Sequence, residues 1–300
     1  MKLRLALVGI LAVTGLMWAD EIDDSYSSLK DAVMNKDSAA VMKLAPSVAK
    51  LGAELAAKPQ PSDASQVDYW KQRSEFGKEV STYAEYALAS TAVSDPAHTV
   101  ELVDSLLDVN PKSQYLSVCS QSYLAALGKT GKASAGAEKI LKGSPQNEDA
   151  LYTLASANMS RAPGQAQTYA NRLVAAMRTK AKPEGVSAEA WEQKKSAYLG
   201  QGLYIAGAAA GAASSWKECD TNLRAAIGYI GKDPNMGSVA YFYLGLANYQ
   251  LGKLTGDRTK MQEGQKFSEQ SAAMGGPMQA QAQRNAAVIK QELAAPVVRR

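Results

Sequence analysis

The sequence predicts an all-α protein built from repeated pairs of helices, and three observations lead to this fold class. Pro111 and Pro145 lie 34 residues apart, and each follows a stretch in which apolar residues have helical spacing. The stretch from Ala240 to Gly252 has three earlier echoes along the chain. A repeat of this length is typical of stacked helical hairpins, because a single hairpin cannot bury its apolar face alone.

Length and composition fit such an array. The chain has 300 residues and is 46% hydrophobic, which supports a sizeable buried surface and excludes global disorder. Its aromatic residues include 14 Tyr and only 3 Phe, and tyrosine suits helix interfaces and hydrated grooves. The formal net charge of +4 is too balanced for a nucleic-acid-binding protein, which usually has a concentrated basic face.

The N-terminus has the pattern of a secretory signal. Lys2 and Arg4 precede the apolar run Leu5 to Ala19, which is shorter than the roughly 20 residues that a membrane span needs. We expect residues 1–19 to be a signal peptide cleaved after Ala19, which predicts a periplasmic or secreted protein without a transmembrane span. An uncleaved anchor and a cytosolic chain are the alternatives.

The mature chain divides into three parts by its pattern. Residues 20–64 read as an N-terminal helical cap followed by a linker rich in proline and turn-forming residues. Helical spacing from Ser25 to Ala57 breaks near Asp37 and Pro46. Residues 65–293 read as the helical repeat domain, and residues 294–300 as a flexible tail. An end cap is expected because a terminal repeat has an apolar face without a neighbour.

Within the repeat domain, three units follow the period and later ones are longer. The regular units run from Val80 to Ser113, from Gln114 to Asn147, and onward from Glu148. Ser187 is expected to cap the next helix. The segments 207–215 and 255–260 are expected to enlarge the turns of the last two pairs, and a closing helix from Met278 to about Leu293 is expected to cap the C-terminal end.

The stretch at Ala240 also resembles a known family. Tyr241, Leu244, Gly245, Tyr249 and the pair Leu251–Gly252 have the spacing of the first helix of a tetratricopeptide repeat. The resemblance covers about residues 80–277. It implies a right-handed solenoid of antiparallel helix pairs with capping helices at both ends, a fold whose members bind proteins or peptides.

The resemblance further implies that one stripe of each first helix lines a concave groove. In the first repeat this stripe is Ser81, Ala84, Leu88 and Thr91, while Tyr83 and Tyr86 are expected to pack inside. Across the other repeats, the candidate partner-binding residues are Tyr115, Val118, Tyr152, Met159, Gln201, Tyr204, Phe242 and Tyr249. The groove is aromatic and nearly uncharged, which disfavours the carboxylate-gripping role of some family members. The alternative is that these aromatic residues only pack between repeats.

No pattern predicts catalytic chemistry, a metal site or a cofactor. His98 is the single histidine, and Cys119 and Cys219 are too few for a disulfide framework. The segment 128–132, G-K-T-G-K, lacks the first glycine and the final Ser or Thr of a phosphate-binding loop, so a turn between helices is expected. The G-A-A-A-G run at 207–211 indicates close helix packing.

The sequence therefore predicts a non-catalytic scaffold in the periplasm or outside the cell. Its expected partner is a protein or peptide segment bound in the groove, without a small-molecule cofactor and without nucleic acid. Two alternatives stay open at this point. One is a structural or assembly subunit of a cell-envelope complex, and the other is an enzyme or small-ligand receptor on a helical scaffold.

Overall fold

The chain, described here by a computed structural model for residues 21–183 and 186–295, is helical in all its regular elements within those ranges. It forms two compact units, the first ending at Pro145 and the second beginning at Gln146. The predicted all-α class is thus confirmed for the described residues. The expected signal peptide, its cleavage site after Ala19 and most of the expected tail lie outside them.

From residue 21 onward, the first unit contains six α-helices and one short 3-10 turn. The helices are α1 (21–34), α2 (Ser38–Ala56), α3 (Val67–Ser94), α4 (Thr99–Val109), α5 (Leu116–Gly128) and α6 (Ala133–Gly143). The 3-10 turn, Ala64–Gln66, leads directly into α3. The predicted linker after residue 57 is present, and the G-K-T-G-K segment forms the turn between α5 and α6, as expected.

The described part of the second unit, residues 146–183 and 186–295, contains seven α-helices. They are α7 (Glu148–Asn158), α8 (Pro163–Thr179), α9 (Ala188–Ala212), α10 (Trp216–Ile230), α11 (Pro234–Thr255), α12 (Arg258–Ala273) and α13 (Gln279–Ala294). The closing helix was expected from Met278 to about Leu293, and α13 occupies almost those positions.

The packing order inside each unit is that of stacked hairpins. Consecutive helices pack together, as in α2 with α3, α7 with α8 and α11 with α12. Alternate helices also touch: α3 contacts α5 in the first unit, and α9 contacts both α7 and α11 in the second. Each hairpin therefore covers the apolar face of the next one.

Helix starts follow from local chemistry. The side chains of Asp37, Asn147, Ser187, Asp233 and Asp257 each accept a hydrogen bond from a backbone N–H in the first turn of the helix that follows. These bonds satisfy donors that an isolated helix end leaves without partners. The cap predicted at Ser187 is among them.

The two segments that were predicted to enlarge turns are largely helical, and the turns themselves span only residues 213–215 and 256–257. Helix α9 runs for 25 residues through most of the segment expected to enlarge its turn, and α11 runs for 22 residues to Thr255. Glycine and alanine stay helical in α9 because the neighbouring helices need the space. A Cβ atom on Gly207 would lie 2.5 Å from Cγ of Leu223, and one on Gly211 would lie 2.5 Å from Cδ1 of Tyr243. The later pairs are therefore longer in their helices rather than in their turns.

The crossing of α11 and α12 is also close. A Cβ atom on Gly245 would lie 2.3 Å from Oγ of Ser268 and 3.0 Å from the backbone oxygen of Gly264. Glycine lets the two backbones approach at this point, in the helix whose pattern the sequence analysis singled out. Among the described helices, none combines the length and the apolar character that crossing a membrane requires.

Candidate binding surface

Five aromatic rings form a continuous row in the first unit, which we call the aromatic ladder. It consists of Tyr26 on α1, Phe76, Tyr83 and Tyr86 on α3, and Tyr115 at the start of α5. Tyr26 contacts the rings of Phe76 and Tyr83 at centroid distances of 5.9 and 5.3 Å. Tyr83 contacts Tyr86 at 5.9 Å, and Tyr86 contacts Tyr115 at 5.8 Å. These distances lie in the range in which aromatic pairs attract one another.

Burial varies along the ladder, and Tyr86 is its most exposed ring. Tyr26 is buried, Phe76, Tyr83 and Tyr115 are half-buried, and 45% of Tyr86 is exposed. Val118, one helical turn beyond Tyr115, is 55% exposed. We call Tyr26 and Phe76 the inner end of the ladder, and Tyr86 and Tyr115 its outer end. Contact with the buried Tyr26 holds the neighbouring rings in place, and the outer end presents the exposed ring of Tyr86 to solvent.

Charged groups flank the inner end of the ladder, at Tyr26 and Phe76. The Lys30 ammonium lies 4.2 Å from the ring centroid of Tyr26, and the Arg73 guanidinium lies 5.0 Å from that of Phe76. Both positions suit cation–π attraction. The Tyr26 hydroxyl donates to Oε1 of Glu79 at 3.4 Å. Burial, followed by the charge of Glu79, raises the pKa of Tyr26, so this hydroxyl stays protonated.

The structure corrects the register that was expected for the first repeat. Ala84, Leu88 and Thr91 were expected in the groove, but they are buried. Tyr83 and Tyr86 were expected inside, but they belong to the ladder. Helix α3 is continuous for 28 residues from Val67, so its faces do not follow a count that starts at Val80. The spacing of Tyr69, Phe76 and Tyr83 at every seventh residue is the sequence signal that would have identified the aromatic face.

Three predicted residues of the second unit meet around one apolar cluster. Tyr152 and Met159 from α7 and Tyr204 from α9 are partly buried and pack against alanines of α7, α8 and α9. The Tyr152 ring also contacts that of Tyr198 at 5.7 Å. Tyr204 packs against a second cluster formed by α9, α10 and α11 as well. The counting rule therefore placed these three residues on neighbouring faces.

The remaining predicted residues of the second unit differ in exposure. Gln201 and Phe242 are half-buried, and Phe242 contacts the ring of Tyr243 at 5.4 Å. Tyr249 is only 7% exposed and packs with Met261 and Ile289. Its hydroxyl donates to Oε1 of Glu292 on α13 at 2.6 Å. Tyr249 therefore has the position of a packing residue, the alternative role considered for these aromatics.

A buried ionic cluster joins α7, α8 and α9 in the second unit. It consists of Glu148 and Asp149 in the first turn of α7, Lys180 after α8, and Lys194 and Tyr198 on α9. Lys180 Nζ lies 2.5 Å from Glu148 Oε2, and Lys194 Nζ lies 2.8 Å from Glu148 Oε1 and 3.8 Å from Asp149 Oδ2. The Tyr198 hydroxyl donates to Asp149 Oδ1. Glu148 thus forms ion pairs with a lysine directly after α8 and with a lysine on α9, the helix that follows the connection.

The charges in this cluster compensate one another. The Glu148 side chain is 0% exposed, whereas those of Lys180 and Lys194 are 28% and 29% exposed. Oε1 lacks a hydrogen-bond partner of good geometry, so Lys194 acts on it as a charge. Burial alone raises the pKa of Glu148, but the two ammonium groups outweigh burial and the pKa lies below its usual value. Burial and Asp149 together raise the pKa of Tyr198. The cluster, which we call the ionic clamp, therefore links α7 to the end of α8 and to α9.

The other titratable candidates have structural surroundings. Cys119 and Cys219 are thiols buried in their separate units, and burial raises the pKa of Cys219 to about 12, which makes it a poor nucleophile. His98 lies before α4, with Nδ1 2.8 Å from Asp95 Oδ2. Within the described residues, no group of three or more His, Cys, Asp or Glu side chains is arranged to hold a metal ion.

Comparison with protein-family models, with curated proteins and with solved structures finds no match. The functional proposal therefore rests on the geometry of the two units. The ladder and Val118 form the most exposed aromatic surface among the candidate residues, whereas the candidates of the second unit are half-buried or buried.

Proposed function

We propose that the protein is a non-catalytic interaction scaffold that works in the periplasm or outside the cell and binds a segment of a partner protein. The observation that carries this proposal is the aromatic ladder, in which rings in mutual contact include the exposed Tyr86. The exposed Val118 follows three residues after the last ring, Tyr115. Residues 1–19, with their basic start and apolar run, support export.

The ladder suits a protein segment for a physical reason. Each ring is held by its neighbours, so little side-chain entropy is lost when a partner covers it. Tyrosines combine a large apolar face with a polar hydroxyl, and they are frequent among the residues that dominate binding energy. The outer end has no ion pair among its described contacts, which favours a segment with apolar anchors over one that presents carboxylates.

We also propose that the helix pairs of each unit stack as in a tetratricopeptide-type, right-handed solenoid, with α1 and α2 and with α13 as end caps. The contacts between alternate helices support this arrangement, as does the family pattern at Tyr241, Leu244 and Gly245. In such a stack, the first helices of successive pairs share one face, and the ladder lies on first helices.

Retention of native proteins from an envelope extract tests the binding role. The full chain, the variant Tyr86→Ala and the control Tyr229→Ala are immobilised, and bound proteins are quantified by mass spectrometry. Tyr229 is 50% exposed on α10, so the control removes an equally exposed tyrosine elsewhere. Losing an anchor ring costs about 1–3 kcal/mol of binding, so retention should fall about fivefold or more for Tyr86→Ala alone. Equal retention by a folded Tyr86→Ala variant contradicts the proposal.

A further inference from the structure

A cavity of about 260 Å³ lies in the first unit between α1, the end of α2, the connection that follows it, and the start of α3. Its apolar wall comes from Ile22, Leu51 and Leu55, together with Pro59 and Pro61 of the connection. Lys58, Pro59 and Tyr69 also line it and are themselves exposed, so the cavity opens to solvent.

The aromatic side of the cavity offers ring faces. Nε1 of Trp70 donates to the backbone oxygen of Lys58 at 2.8 Å. The polar edge of the indole is thus already bonded, and what a ligand meets is the apolar face. Tyr69 stands one residue before Trp70 at the mouth. A ligand body that fits these surfaces is apolar.

Among the described residues, the charged side chains that line the cavity are both basic. Lys58 and Arg73 line it, and none of the described lining residues is acidic. Arg73 Nη1 lies 3.7 Å from Asp23 Oδ2, which is within ion-pair range but longer than a hydrogen bond. The same guanidinium lies 5.0 Å from the centroid of the Phe76 ring. Since a guanidinium carries five N–H donors, these contacts leave donors for a ligand.

We propose that this cavity binds a small monocarboxylate, with its apolar body between the leucines and Trp70 and its carboxylate on Arg73. At roughly 30 Å³ for an atom with its surroundings, the volume holds about nine non-hydrogen atoms, the size of a carboxylate with about six to eight carbons. The planar fork of arginine matches the two oxygens of a carboxylate. This site is separate from the outer end of the ladder, and the proposal does not depend on the scaffold function.

Calorimetric titration of the full chain with octanoate and with octanamide tests the charge requirement. The two compounds have the same number of non-hydrogen atoms and differ in charge. We expect one octanoate per chain and an affinity for octanamide that is at least tenfold weaker, because a hydrogen bond to a charged group outweighs a neutral one. Undetectable octanoate binding at millimolar concentration, or equal affinity for both compounds, overturns the proposal.

Three variants locate the site. Arg73→Gln should weaken octanoate about tenfold and leave octanamide unchanged, whereas Leu51→Trp should remove both by filling the cavity. Lys71→Gln is the matched control, because Lys71 is on the same helix, is exposed and does not line the cavity. Unchanged octanoate affinity in a folded Arg73→Gln or Leu51→Trp variant contradicts the assigned site.

A fourth variant keeps the test decisive if Arg73→Gln fails to fold. Gln66 lines the cavity and is exposed, so Gln66→Glu places an anion at the mouth without changing the shape of the side chain. Octanoate should then bind several-fold more weakly and octanamide as before. Equal octanoate affinity for Gln66→Glu and the wild type overturns the proposal as well.

Discussion

The ionic cluster of the second unit predicts that one substitution, Glu148→Gln, loosens that unit. The change keeps the shape of the side chain and removes the charge that Lys180 and Lys194 share. Breaking a buried ion pair by removing one partner costs about 3–5 kcal/mol. Both lysines are more than a quarter exposed and can turn toward water, so we expect the lower end, about 3 kcal/mol.

Urea unfolding of the full chain measures this loss, and hydrogen exchange with mass spectrometry assigns it to a unit. A loss of about 3 kcal/mol corresponds to a fall of roughly 6–12 °C in Tm for a unit of this size. Exchange should rise in peptides from α7, α8 and α9 and stay unchanged in those from α1 to α6. The matched control is Glu54→Gln, whose exposed pair with Lys50 at 3.8 Å should cost less than about 0.5 kcal/mol.

The dependence on pH provides a second check of the same reasoning. The pKa of Glu148 is lowered in the folded protein, so its contribution is present above the pKa of the unfolded chain and is lost as pH falls through the lower folded value. The difference in stability between wild type and Glu148→Gln should therefore shrink in acid. A loss of less than 1 kcal/mol at neutral pH, or a loss equal to that of the control, refutes the role of the clamp.

Three further predictions follow from single sites. The imidazole of His98, the single histidine, should titrate above its usual pKa because Asp95 forms a hydrogen bond with it. The contribution of this pair to stability should fade as pH rises through that raised pKa. NMR titration of Asp95→Asn should show the His98 pKa returning toward its usual value, and an unchanged His98 pKa contradicts the pairing. Gly245→Ala should cost about 1–3 kcal/mol in urea unfolding, whereas Gly228→Ala, where a Cβ atom meets nothing within 4 Å, should gain roughly 0.5–1 kcal/mol; equal effects argue against the close crossing. Tyr249→Ala should cost about 3–5 kcal/mol of stability, and an unchanged denaturation midpoint refutes a packing role.

The sequence predicts helix positions well because their signals are local. The cap at Ser187, the turn at residues 128–132 and the closing helix all depend on residues within a few positions of one another. It was harder to predict whether the extra residues of the longer helix pairs lie in the helices or in the turns. The segment 207–215 was expected to enlarge a turn, yet residues 207–212 are helical. Leu223 and Tyr243 from other helices pack closely against Gly207 and Gly211, in keeping with the close helix packing that the G-A-A-A-G run indicates.

The proposed binding surface could be predicted only in part. Tyr115 and Val118 were identified by the family count, and both lie at the outer end of the ladder. Tyr26 was missed because it stands in the cap, which the family pattern does not cover. Its contact with Tyr83 joins residues 57 positions apart, and no local pattern indicates such a pairing.

The ionic clamp shows the same limit. Acidic residues in a first helical turn are usually solvated, and they stabilise the helix from the surface. Here Glu148 is buried because two lysines from either side of a later connection reach it. Asp149 lies near Lys194 and is buried, and no local pattern in the sequence indicates that burial.

Site-specific photo-crosslinking in living cells of the source tests the binding role of the ladder most directly. A photoreactive residue is placed at Val118, which is 55% exposed at the end of the ladder, and as a control at Val288 on α13, which is 47% exposed. The account predicts that position 118 captures one discrete partner, that Tyr86→Ala abolishes this capture, and that position 288 does not capture it. No adduct at position 118, or the same adducts at both positions, would contradict the account.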